Sequence, residues 1–212
     1  MRSLTSNIQL LELQDQRVMP WKNGGGITRE LAVYPADAGL DGKPFLWRIS
    51  IAEVANDGSF SGFPGYDRDI MLVAGRGMEL SVQDQAPIKI SDCYKPLRFS
   101  GDVPTHCRLL DGPVRDFNVM SARGKIEQRC EVISGGASEA TWQRNSGTLF
   151  CHCLHGTLIV KLPGKTEWNL TAGQSLWFST EGSSENARVL LVPNSPATVA
   201  VLVTLRHAMR VT

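Results

Sequence analysis

Apolar and polar residues alternate along the chain in short runs. Residues 8–13 form a brief apolar stretch, and across 27–34 Ile27, Leu31 and Val33 are set against Thr28, Glu30 and Ala32, the period of a strand. Across 45–54 the alternation puts Trp47, Ile49 and Ile51 on one face and Arg48, Ser50 and Ala52 on the other. Small residues beside an arginine leave space in front of the guanidinium, so this second face is expected to line a pocket. Further strands are predicted at 70–74, 78–82, 88–90, 97–99, 106–110 and 117–120. From Arg129 the pattern restarts, with strands predicted at 149–154, 157–162, 167–170, 176–178, 189–192 and 199–205. No helix-period segment of ordinary length stands out. Short strands punctuated by Gly and Pro predict an all-β sandwich or barrel.

The chain also resembles itself. A shift of 79 positions lays Gly77 on Gly156, Leu97-Arg98-Phe99-Ser100 on Leu176-Trp177-Phe178-Ser179, and Asp102 on Glu181. A small indel then lets Phe117-Asn118-Val119 meet Val201-Leu202-Val203. This predicts an internal duplication, with an N-terminal unit at 1–122 that carries the ligand site and a C-terminal unit at 123–212. In the second half, His155-Gly156-Thr157-Leu158-Ile159-Val160 and Leu170-Thr171-Ala172-Gly173-Gln174-Ser175-Leu176-Trp177-Phe178 resemble the two cupin motifs. The expected fold is therefore a bicupin, two jelly-roll-like β-barrel units.

Charge narrows the partners. Among 212 residues, Lys plus Arg number 22 and Asp plus Glu 21, so no long-range field favours nucleic acid or an anionic membrane. A small, locally recognised anionic metabolite is the expected partner. The first residues have no signal-peptide pattern and no apolar run approaches the length of a membrane span, so the expected location is the cytoplasm. Five widely spaced cysteines do not suit a disulfide framework and are expected to be reduced thiols.

The run Pro20-Trp21-Lys22-Asn23-Gly24-Gly25-Gly26 concentrates three glycines between charged and aromatic residues. Such a run is conformationally costly unless the backbone needs a bend, a positive φ or a close approach. It is neither a P-loop nor a dinucleotide fingerprint, since no Gly-Lys-Ser/Thr and no helix follow. Metal-binding cupins carry paired histidines, a glutamate and a later histidine. Here the glutamate slot holds Ile70 in the first unit and Leu149 in the second, and the paired-histidine slots hold Pro64 and Tyr66, then Gln143 and Asn145. The later histidine slot holds Pro104 or Ser183. Neither a metal nor another cofactor is expected. Cys151, Cys153 and His155, two apart on a predicted strand, form a rival set of soft ligands, although buried cysteines are more simply small hydrophobes.

Several longer motifs carry a resemblance: Trp21 to Gly26 with Thr28-Arg29-Glu30; Trp47-Arg48-x-Ser50-x-Ala52; Asp57-Gly58-x-Phe60-Ser61-x-Phe63-Pro64-Gly65-x-Asp67-Arg68; Asp111-Gly112-Pro113; and Asp116-Phe117-Asn118-Val119-Met120. In these the chain resembles the HutD/Ves family of bicupins, often encoded with bacterial histidine-utilisation enzymes. The resemblance implies a regulator or sensor that tunes that pathway, binding an intermediate such as N-formylglutamate or urocanate. The residues themselves suit an anion. Arg48 and Arg68 each offer bidentate bonds to a carboxylate, Lys22 adds a point charge, and Asn23 and Asn118 present amides. Thr28 and Ser50 complete the expected polar wall, while Glu30, Asp67 and Asp116 are placed to orient the cations. The plainer readings are ion pairs of Arg48 with Glu30 and of Arg68 with Asp116, and core roles for Trp21 and Trp47. Metal-independent binding without turnover is the leading expectation. The alternative is a cofactor-free isomerase or hydrolase of a small acid from the same pathway, using Glu30, Asp67 or Asp116 as general base. A homodimer through exposed sheet edges is compatible with the sequence, but no residue demands one.

Overall fold

A computed structural model describes residues 8–39, 42–83, 85–135, 140–143, 147–162, 167–179 and 188–208. Asn145, Glu181 and Ser183 lie outside the described residues. The chain runs through β1 (Ile8–Leu11), β2 (Arg17–Pro20), β3 (Gly26–Tyr34), β4 (Trp47–Val54), β5 (Gly58–Phe60) and β6 (Tyr66–Ala74). It continues through β7 (Met78–Val82), β8 (Ile88–Ile90), β9 (Leu97–Ser100), β10 (Thr105–Leu109), β11 (Val114–Ala122) and β12 (Ile126–Ser134). The last strands are β13 (Ala140–Gln143), β14 (Thr148–His155), β15 (Thr157–Lys161), β16 (Glu167–Thr171), β17 (Ser175–Ser179), β18 (Arg188–Pro193) and β19 (Val199–His207). A short 3-10 helix spans Leu13–Asp15. Among the described residues no helix is long and apolar enough to cross a membrane.

Period-2 patterning produced most of these strands where it was expected. Four escaped it, each for a local reason. β2 is a short strand ending in Pro20, with Val18 and Pro20 outward and exposed, the composition of a strand margin. β5 sits inside a run of turn residues, β12 has Glu127, Arg129 and Glu131 at exposed positions, and β13 is only 4 residues long.

The chain divides into two compact units, one spanning Gln16–Ile126 and the other formed by the residues up to Asp15 together with Glu127 onwards. The first has a six-stranded sheet ordered β2-β3-β4-β11-β6-β9 and a four-stranded sheet ordered β5-β10-β7-β8. Ala52, Val54, Ile70 and Leu72 from one sheet and Met78, Leu80, Val82 and Cys107 from the other share its core. In the second unit the sheets are ordered β1-β17-β14-β19-β12 and β13-β18-β15-β16. Its core gathers Leu149, Cys151, Cys153, Leu158, Val160, Leu176, Leu191 and Leu202. The division expected at 122 and 123 put β1 in the first unit. Instead β1 pairs antiparallel with β17, Gln9 opposite Trp177, and Trp177 Nε1 donates to Gln9 Oε1 at 2.6 Å. A pairing across most of the chain leaves no local pattern from which to read it.

Duplication is explicit in the strand order. The series β4-β11-β6-β9 recurs as β12-β19-β14-β17, and β5-β10-β7-β8 recurs as β13-β18-β15-β16. Gly77 and Gly156, matched by the sequence shift, both sit at positive φ, 119° and 70°, before equivalent strands. The register near the end of each unit differs from the sequence alignment. Asn118 faces Ile70 and Thr204 faces Leu149, so the counterpart of Asn118 is Thr204, not Leu202.

Candidate functional site

The triple-glycine stretch is the turn of the β2–β3 hairpin. Trp21 N donates to Gly26 O at 2.9 Å and Gly24 N to Trp21 O at 3.0 Å, closing the loop. Gly24 lies at φ 69°, and a Cβ on Gly26 would sit 2.4 Å from the Glu53 carbonyl oxygen. Both are conditions that favour glycine. The Gly25 carbonyl accepts from Ala55 N at 2.9 Å and Asn56 N at 3.3 Å, tying the turn to the end of β4. Asn23 Oδ1 accepts from Gly25 N at 3.0 Å, so this side chain stiffens the turn as well as facing the pocket. Trp21 Nε1 donates to Thr28 Oγ1 at 2.8 Å, and the Trp21 ring meets Phe60 edge-on at 6.0 Å.

Behind the hairpin is a pocket of about 520 Å³, the size of a small-metabolite site. Its wall is a ladder across β4, β11 and β6. Arg48 and Arg68 both lie opposite Met120; two residues along, Ser50 and Ile70 lie opposite Asn118; two further, Ala52 and Leu72 lie opposite Asp116. Strand alternation brings all three rows to one face. Thr28 continues the last row onto β3, opposite Ala52.

The two arginines are held differently. Arg48 Nε donates to Glu30 Oε2 at 2.6 Å, and Glu30, nearly buried, also receives Arg17 at 2.9 Å. Arg68 is 4% exposed and has no carboxylate partner within ion-pair distance among the described residues. Its guanidinium lies 5.7, 5.6 and 5.0 Å from the ring centres of Phe60, Phe63 and Phe99, and Nη1 donates to the Ser61 carbonyl at 3.3 Å. Burial lowers its pKa to about 10, with the Asp116 charge acting upward and Arg48 downward. It remains cationic at neutral pH, and three aromatic faces offset part of its desolvation.

Asp116 is 1% exposed. Burial pushes its carboxyl up to about 7, against the opposing pull of Arg68 and of the Asn118 amide. Neither of its oxygens accepts a hydrogen bond of normal geometry, and Arg68 Nε and Asn118 Oδ1 are likewise unpartnered.

Of the residues expected at the site, Lys22, Asn23, Thr28, Arg48, Ser50, Arg68, Asp116 and Asn118 line this one pocket. Glu30 stands behind Arg48 and outside the lining. Asp67 does not join them. It alternates with Arg68 along β6 and binds Arg123 at 2.7 Å, an arginine that also reaches Asp102 and the Tyr66 carbonyl. The expected ion pair of Arg48 with Glu30 forms; that of Arg68 with Asp116 does not. Trp47 is buried and stacks on Tyr34 at 5.8 Å, away from the pocket lining. Met19, Met120, Phe60 and Phe63 were not foreseen as lining. Met120 was within reach of the pattern, since it shares the face of Asn118 and Asp116. Phe60 and Phe63 were hidden in what read as turns.

The cupin metal positions do not fit a metal. Pro64, Tyr66, Ile70 and Pro104 supply no imidazole or carboxylate, and Leu149 none in the second unit. No group of three or more His, Cys, Asp or Glu side chains among the described residues is placed to hold an ion. Cys151, Cys153 and His155 do not converge either. The register of β14 shifts between Cys153 and His155, both cysteines are fully buried, and His155 is exposed. Cys153 Sγ donates to the His155 and Gly156 carbonyls, and burial raises the Cys151 thiol to about 12. His152 is buried on the opposite face of β14 from the two cysteines, its Nδ1 2.8 Å from Ser175 Oγ, with burial lowering its pKa to about 4.

Residues 13–193 match the HutD family model. Among curated proteins, an uncharacterised 21.2 kDa protein of the hutC 3' region of Pseudomonas putida is 42% identical over 130 residues, 61% of this chain and 66% of that protein. A conserved protein of unknown function from Pseudomonas aeruginosa PAO1 superposes with a TM-score of 0.82 at 35% identity, covering 95% of this chain and 100% of that one. HutD from Pseudomonas fluorescens SBW25, solved in a formate condition, gives a TM-score of 0.78 at 29% identity, covering 94% and 98%. A cupin barrel protein from Leptotrichia buccalis, at 12% identity and a TM-score of 0.55, shares the fold alone.

Proposed function

We propose, for a chain that belongs to the HutD family, that the first barrel binds a small carboxylate of histidine utilisation without a metal and acts as a regulator or sensor of that pathway. The observation that carries this is convergence. Lys22, Arg48 and Arg68 bring three cations to one pocket of about 520 Å³, Asn23 and Asn118 add amides, and the first barrel's cupin metal positions supply no imidazole or carboxylate. Cations with hydrogen-bond forks suit a carboxylate, and the amides suit a formyl or imidazole group beside it. The link to histidine utilisation rests on the family and on the hutC neighbourhood named for the Pseudomonas putida relative. N-Formylglutamate and urocanate are the first ligands to try.

Calorimetry with N-formylglutamate, urocanate, histidine and glutamate tests the proposal. Saturable heat with one of the first two is expected, weakened about tenfold or more in Arg48→Ala, since a hydrogen bond to a charged group is worth roughly 1.5–3 kcal/mol. No heat with any of the four contradicts it.

One observation favours a second reading. Among the three carboxylates considered as general bases, Asp116 alone lines the pocket, and its pKa is pushed up to about 7. That is where a base working at neutral pH is most effective. A cofactor-free isomerase or hydrolase would then convert its ligand, and NMR of the same metabolites incubated with the protein distinguishes conversion from binding.

A further inference from the structure

Four of the buried polar atoms that find no partner belong to three residues of this pocket: Arg68 Nε, Asp116 Oδ1 and Oδ2, and Asn118 Oδ1. Native interiors satisfy almost all such atoms, so a cluster of them facing one cavity describes what the cavity expects to receive. It is a mixed set, one donor and three acceptors.

Its layout is ordered. The row of Arg48 and Arg68 is centred on Met120, and Asp116 lies four residues along the same strand, with Asn118 between. At 3.2–3.4 Å per residue, the Cα atoms of Met120 and Asp116 are roughly 13 Å apart. The pocket therefore has a cationic end at Arg48 and an acceptor end at Asp116, with the long Arg68 side chain acting towards both. A carboxylate fits the first end. It does not fit the second, where it would meet an ionised Asp116 and the Asn118 oxygen, and where the Asn118 amide and Arg68 already act on Asp116. Thr28 Oγ1 accepts from Trp21, which leaves its O–H to donate to a ligand, a neutral contact that does not offset the charge of Asp116.

We infer that the pocket takes a small carboxylate that also carries an N–H group, its carboxylate held by Arg48 and Arg68 and its N–H read by Asp116 and Asn118, and that it rejects carboxylates lacking the N–H. The inference rests on the reading that the first barrel binds a small carboxylate, and it assigns Asp116 the role of specificity determinant. An acceptor left without its donor in a dry site weakens binding much more than a lost contact at the surface does.

The test uses matched probes and the intact protein at pH 8, where Asp116 is ionised. Urocanate is compared with 3-(1,3-oxazol-5-yl)acrylate, in which a ring oxygen replaces the N–H and the other ring nitrogen is kept, and N-formyl-L-glutamate with glutarate. At least one N–H probe is expected to bind about tenfold or more tightly than its partner, and Asp116→Asn, checked for folding by circular dichroism, is expected to shrink that ratio. Equal affinities within both pairs would overturn the inference and leave the small-carboxylate reading standing. No binding by any of the four would remove both. The wild-type ratio decides the matter even if the variant does not fold.

Discussion

The two barrels have the same strand order and opposite interiors. On the wall of the first, Asp116 faces Leu72 and Asn118 faces Ile70; at the equivalent rows of the second, Leu202 faces Cys151 and Thr204 faces Leu149. Arg68 has Gly147 as its counterpart in the shifted sequence. The second barrel is thus filled where the first is hollow. The first also carries the β2–β3 hairpin beyond β4, while β12, the counterpart of β4, is an edge strand among the described residues. Duplicated scaffolds tolerate this division because the core of each unit is satisfied on its own. On the Asp116 and Asn118 rows one copy keeps unpaired polar groups that cost stability, while the other has Leu202 and a Thr204 that accepts from Trp142, and leaves Arg206 Nε unpartnered on the next row.

Exchanging these features should show how far each barrel depends on its own. The largest effect is expected from Leu202→Asp, which puts a carboxylate into the second core with no arginine at the equivalent position. An unpaired buried charge costs about 3–5 kcal/mol, so urea denaturation should show severe destabilisation or loss of soluble protein. A stable Leu202→Asp variant would mean that the second interior is wetter than its apolar lining implies.

Gly26→Ala comes next. Its Cβ would press on the Glu53 carbonyl at 2.4 Å and on the Trp21 ring at 3.2 Å, so the hairpin must move. A loss of about 1–3 kcal/mol is expected in denaturation, together with weaker ligand binding as Lys22 and Asn23 shift. Binding without change would show that the hairpin is scaffold only.

The last effect is a slope, small at any one pH step. Asp116 has its folded pKa raised from 3.8 to about 7, so between those values the folded chain holds a proton that the unfolded chain has released. Stability therefore falls as pH rises through this window and levels off above it, by at most about 1.4 kcal/mol per pH unit. Asp116→Leu, the residue type that the second barrel has there, should abolish that contribution. Parallel stability–pH curves for the two proteins between pH 4 and 7 would contradict the assignment.

Most of the architecture could be read from the residues. Strand periodicity, the glycine positions and the duplicated Leu-x-Phe-Ser segment led to two β units, and the alternation of Arg48, Ser50 and Ala52 correctly marked the hollow face. The wall facing them was only half legible. Asp116 and Asn118 came together only as members of one motif, and Asp67 was drawn in by its neighbour Arg68, although adjacent residues on a strand point apart. The aromatic surround of Arg68 was invisible because Phe60 and Phe63 lie in a segment dominated by turn residues. Nor could the sequence separate an ion pair from two groups left apart. It suggested the same kind of partnership for Arg48 with Glu30 and Arg68 with Asp116, and only the first exists. Residue type gives charge and register gives the face; the distances that decide pairing depend on tertiary packing.

A crystal structure of the protein saturated with N-formyl-L-glutamate tests the central claim most directly. The account predicts density in the first barrel, with a carboxylate on Arg48 and Arg68 and the formamide N–H directed at Asp116. Ligand density in the second barrel, or an empty first barrel in crystals of a protein shown to be saturated, would contradict it.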